Sequence, residues 1–152
     1  VRKLRSFNKQ EESMVFKKAS EPLEGEPVVS RLPELSSPVI LKNLWYEIER
    51  LKLAPSWQLP TGRSSETLAK YPDFVLVLVL MKAETLMEKH EVAGRISLYI
   101  IEGRIEVHLQ EGQVIPLGAG ELLTLDHGLA HDVQALKDSA FLLTVVGSAR
   151  SV

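Results

Sequence analysis

From Glu66 to Val146 the chain is a succession of short apolar or alternating segments, each closed by turn residues and none carrying helical periodicity. ETLAKY stops at Pro72-Asp73. FVLVLVLM (74–81) is apolar at every position, the pattern of a strand covered on both faces. TLMEKH follows Lys82-Ala83-Glu84, and ISLYII and RIEVHL flank Glu102-Gly103, which reads as a hairpin turn. QVIPL runs into Gly118-Ala119-Gly120, and ELLTL, HDVQAL and AFLLTVV complete the set. About eight short strands at this spacing, with no helix between them, restrict the chain to a β-sandwich or a small barrel. In RIEVHL, Ile105, Val107 and Leu109 alternate with Arg104, Glu106 and His108, so His108 is expected on the solvated face.

Ahead of the strands the composition changes. Residues 1–30 are polar and charged, with prolines in EPLEGEP, and are expected to form a flexible extension. Residues 1–20 hold six Lys/Arg against two Glu, so VRKLRSFNKQ reads as a solvated tail before it reads as an arm for an anionic partner. Met14 opens MVFKKASEPL, a natural start that would make residues 1–13 upstream sequence. Residues 31–65 are expected to be an arm and a helix over 38–53, capped by Ser37, with Leu41, Leu44, Trp45, Ile48 and Leu51 as its apolar stripe. The barrel is expected over 66–148.

Several function classes are excluded. The net charge of −2 gives no field for nucleic acid. The chain has no cysteine, so there is no disulfide, thiolate zinc site or thiol nucleophile. No Gly-rich phosphate loop follows a strand, and Ser97 and Ser139 have no nucleophile elbow around them. No apolar run approaches the roughly 20 residues of a membrane span, and no signal-peptide core lies near the start. No membrane partner is expected, and a cytoplasmic location is.

The candidate chemistry centres on GELLTLDHGLAH, Gly120 to His131. Leu122, Leu123 and Leu125 form a strand, Asp126-His127-Gly128 a turn, and His131 opens the next strand. A histidine just past a Gly turn in an all-β chain is placed to face a barrel mouth. An extended strand would hold His127 and His131 roughly 13 Å apart, too far to share a metal unless the turn folds back. Asp132, next to His131, points to the opposite face and cannot form a dyad with it.

These segments resemble the cupin superfamily, double-stranded β-barrels of jelly-roll type. The second cupin motif has a Gly, five residues, Pro-x-Gly, two residues and a His. Gly120, Gly128 and His131 keep that spacing, with Asp126 at the proline and Ala135 at the later Asn. The first motif survives in HEVAGRISLYIIEG as His90 and Gly103, while its second histidine is Val92 and its glutamate Ile96. The chain is also similar to small single-domain bacterial cupins of largely unassigned function. The likeness there rests on a helix with Trp57 nearby, Thr67-Leu68 before the long apolar strand, the lone His90 before Gly94, and the tail HDVQALKDSAFLLTV.

The resemblance implies an all-β jelly-roll barrel with one N-terminal helix and a central small-molecule pocket. It further implies a divalent metal (Fe, Mn, Ni or Zn) held by His90 and His131, because neutral imidazole suits such ions. Glu88 and His127 are weaker candidate ligands. Loss of the ligands at Val92 and Ile96 makes the cavity more apolar, so Val92, Ile96 and Tyr99 are expected to line a pocket for an apolar or aromatic molecule. Three readings remain open: a metal-free binding pocket, a metal-dependent oxygenase or isomerase, and a structural or interaction role with the barrel as a dimerisation unit. A homodimer is expected, because open sheets leave edges to cover.

Overall fold

The computed structural model describes residues 34–90 and 92–147; the extension expected over residues 1–30 lies outside them. Nine strands follow one another: β1 (Arg63–Tyr71), β2 (Phe74–Met81), β3 (Leu86–His90), β4 (Arg95–Glu102), β5 (Arg104–Leu109), β6 (Val114–Gly118), β7 (Leu122–Leu125), β8 (His131–Ala135) and β9 (Ser139–Val146). They form two antiparallel sheets, a five-stranded one ordered β1-β2-β9-β4-β7 and a four-stranded one ordered β3-β8-β5-β6. This is the jelly-roll arrangement, with the chain passing repeatedly from one sheet to the other.

Period-two alternation sends each strand's residues to two different cores. Val79 and Met81 of β2, Ile96, Leu98 and Ile100 of β4, Ile105 and Val107 of β5, Val133 of β8 and Phe141 of β9 fill the space between the sheets. The intervening Leu78 and Leu80 of β2 and Ala140 of β9 point the other way, beneath two helices. The uninterrupted FVLVLVLM therefore serves both cores, as its composition implies.

The helices are α1 (Leu44–Lys52) and α2 (Pro55–Gln58). The expected helix over 38–53 is shorter at its start. Asn43, not Ser37, is the N-cap, its Oδ1 accepting from the Tyr46 amide at 3.2 Å. The buried stripe narrows to Leu44, Ile48 and Leu51, joined by Trp57 of α2. Trp45 and Leu41 are exposed at 63% and 93%. Leu41 precedes the helix, which starts at Leu44, and Glu47 is buried, pairing with Arg50, which also reaches Glu66 of β1. Among the described residues no helix is long and apolar enough to cross a membrane.

Glu102-Gly103 is not a hairpin. β4 and β5 lie in different sheets, and the junction is a crossing between them. The β8–β9 link is a second such crossing, and Ser139 ties the two together. Its buried hydroxyl accepts from the Arg104 amide at 3.0 Å and donates toward the Lys137 carbonyl at 2.7 Å. Ser139 is thereby a structural serine.

Candidate functional site

His131 opens β8 facing inward, on the same face as Val133 and Ala135, and is 2% exposed. Its Nδ1 lies 2.8 Å from the Leu129 carbonyl oxygen. A carbonyl can only accept, so Nδ1 carries the proton and the lone pair of the neutral ring is on Nε2. That is the tautomer a metal or a ligand donor would meet. Across the β3–β8 pair, the backbone of His90 stands directly opposite His131. The His90 side chain lies outside the description.

The pairing also bears on where Glu88 stands relative to His90. The register shifts between Met87 and His90, which holds one extra residue on β3 relative to β8. Alternation does not carry across such a bulge, and Glu88 is exposed. His127 stands in a different environment from His131. It is 65% exposed, with Nδ1 3.0 Å from Asp126 Oδ1, while His131 is buried. Asp126 fastens the turn: it accepts from the His127 amide at 2.9 Å and from Arg95 Nε at 2.9 Å. Hydrogen bonds from the His127 amide and ring, with the Arg95 charge beside them, hold its carboxyl below the usual range. Among the described residues no three His, Asp or Glu gather closely enough to hold a metal ion.

The expected pocket residues separate. Val92 and Ile96 pack into the barrel core, and Ile96 is 4% exposed. Tyr99 does not face the interior. It alternates with buried Leu98 and Ile100, is 42% exposed, and lies on the outer face beside Leu122 and Leu142.

Open space lies in two places among the described residues: a cleft of about 490 Å³ against β4, β7 and β9 that Ile96, Ser97, Thr124 and Thr144 line, and another at the edge where β1 borders the interior. The cleft beside β1, of about 530 Å³, is lined by Val77, Val79, Met87 and Leu143, with Thr61, Arg63 and Ser65 among its polar residues. β1 alternates sharply here. Ser64 and Leu68 are buried on the helix side, where Ser64 Oγ meets Ser56 Oγ at 2.7 Å, while Arg63 and Ser65 are exposed. In register, Arg63 stands opposite Met81 and Ser65 opposite Val79, both members of the barrel core. The sequence pattern starts this strand at Glu66, which puts Arg63 and Ser65 in the preceding arm. The signal that places them is the register with β2.

A second polar cluster lies on the outer face of the four-stranded sheet. His108 stands opposite Asp132, with Nδ1 at 2.5 Å from Asp132 Oδ1 and Nε2 at 3.3 Å from Glu106 Oε2. His108 is thus not a simply solvated residue. A neutral ring has one N–H and would turn a lone pair toward one carboxylate, so only the imidazolium satisfies both. The hydrogen bond with Glu106 is the largest effect and raises the ring's pKa above 6.5; burial, next in size, opposes it, and the Asp132 hydrogen bond with the charges of both carboxylates keeps the net shift upward. A raised folded-state pKa stabilises fully below about 6.5, and that contribution fades as pH climbs through the folded value. The thermal midpoint of the wild type should therefore contain a component that declines above pH 6.5, and His108→Gln should lack it. Parallel pH profiles for the two proteins would show that the ring is not held as the cation.

Residues 76–147 match the family model described as the cupin domain. The fold is shared with solved structures at low identity. A cupin-2 domain containing protein from Shewanella frigidimarina aligns with a TM-score of 0.56 at 19% identity, over 70% of this chain and 94% of its own. A conserved protein of unknown function from Streptococcus pyogenes gives 0.54 at 19%, over 63% and 87%. KdgF from Halomonas sp. gives 0.51 at 23%, over 59% and 82%. No functionally curated protein matches.

Proposed function

Residues 76–147 of this chain being a cupin domain, we propose that the protein is a small-molecule-binding barrel whose ligand enters the cleft beside β1. The observation that carries this reading is the cleft itself. Its volume of about 530 Å³ is of the size small-molecule sites have, and Val77, Val79 and Leu143 give it an apolar wall next to a polar rim. The space between the sheets is by contrast filled with aliphatic side chains and Phe141.

A second reading, a metal-dependent oxygenase or isomerase acting on a small organic substrate, is favoured by one observation. His131 presents the ligating tautomer, and His90 is opposite it in register. Two imidazoles would hold Fe, Mn, Ni or Zn weakly, because such sites ordinarily use three or four protein ligands. His90 and His131 are the residues that would hold the ion, which would supply Lewis-acid or redox chemistry. The Leu129 carbonyl orients the His131 ring for that role.

The two readings separate experimentally, because His131 does not line the cleft. Protein purified without a histidine tag should carry less than one metal ion per chain. His131→Ala should leave small-molecule binding in the cleft unchanged. Stoichiometric metal that disappears in His131→Ala together with ligand binding would overturn the binding-module reading in favour of the enzyme.

A further inference from the structure

Cleft chemistry selects a ligand class, and this step rests on the cleft being the binding site. Among its lining residues Arg63 is the one charged side chain, and no Asp or Glu lines it. Two other arginines in the described residues are committed to carboxylates, Arg50 to Glu47 and Glu66, and Arg95 to Asp126. No ion pair joins Arg63 to a carboxylate among the described residues. Its place makes this informative. The neighbouring strand β2 turns Val79 and Met81 to the barrel side, and β1 sets Ser65 and Arg63 opposite them. A cation beside an apolar wall raises the local positive potential where water is partly excluded, and a guanidinium fits a carboxylate through two parallel hydrogen bonds. The hydroxyls of Ser65 and Thr61 add neutral donors at the same rim.

The geometry points to an amphipathic organic acid as the ligand of the cleft, its carboxylate on Arg63 and its apolar body against Val77, Val79 and Leu143. A neutral molecule of the same shape would fill the wall but leave the guanidinium without its partner.

Octanoate and octanamide test this, since they differ in charge and scarcely in size. The readout is the methyl NMR signals of Val77, Val79, Met87 and Leu143 during titration. Octanoate should shift these signals and bind about tenfold or more tightly than octanamide, as a charge-assisted hydrogen bond implies. Arg63→Gln should bring octanoate down to the affinity of octanamide without moving the thermal midpoint. Ser65→Glu, which places a carboxylate on the same strand face two residues away, should remove octanoate binding while weakening octanamide no more than Ser65→Ala does. Equal affinity of the two probes, or of octanoate for wild type and Arg63→Gln, would overturn the anionic ligand while leaving the cleft as the site. If neither probe moved those methyl signals, the cleft reading would fall as well.

Discussion

Gly103→Ala is expected to lower the thermal midpoint by roughly 10 °C or more, the scale of a loss of about 3 kcal/mol in a domain of this size. Two costs add. The residue has φ +88°, where an L side chain is strained by about 1–2 kcal/mol. A Cβ built there would also stand 2.4 Å from the Asp138 carbonyl oxygen and 2.6 Å from Ser139 Cα. Those are backbone atoms of the other crossing, which Ser139 already ties to Arg104, so neither side can move without parting the two sheets. Gly120→Ala isolates the first cost, because Gly120 has φ +85° with nothing within 4 Å of the added Cβ. It should lose only the conformational part. Equal losses in the two variants, measured by thermal unfolding, would mean that the crossings are not packed as tightly as these distances require.

Gly103 also marks where sequence reading stops. A two-residue Glu-Gly break between alternating segments is legible as a reversal of the chain. Whether the next strand pairs with the last or crosses to another sheet depends on Asp138 and Ser139, far along the chain. The same division recurs elsewhere. Alternation in RIEVHL places His108 outward, but its partner Asp132 arrives through β5–β8 register. Alternation likewise set Glu88 beside His90, and the bulge on β3 breaks that rule locally. Tyr99 is expected in the pocket beside Val92 and Ile96, but on its own strand Leu98 and Ile100 already claim the inner face. His131 was legible because its turn, strand and motif spacing all agree. Arg63 was not, since an arginine before a strand looks like any surface charge until β2 is aligned beside it.

Phe141→Ala is expected to cost about 3–5 kcal/mol, a large share of the roughly 5–15 kcal/mol that holds a domain folded. Phe141 is 1% exposed and central to β9, with Val79 of β2 and Ile100 of β4 as its neighbours in register. Two of its neighbours border the cleft. Val79, beside it, and Leu143, two residues along on the same face, both line that space. Removing the ring should therefore deepen the cleft inward instead of opening an isolated void. Decanoate, longer than octanoate by two methylenes at ~0.8 kcal/mol each when buried, should then raise the variant's thermal midpoint more than octanoate does. Wild type, whose interior is already filled by the ring, should show a much smaller difference between the two acids. A variant that loses stability as expected but shows the wild-type preference would place Phe141 in the core without connection to the binding site.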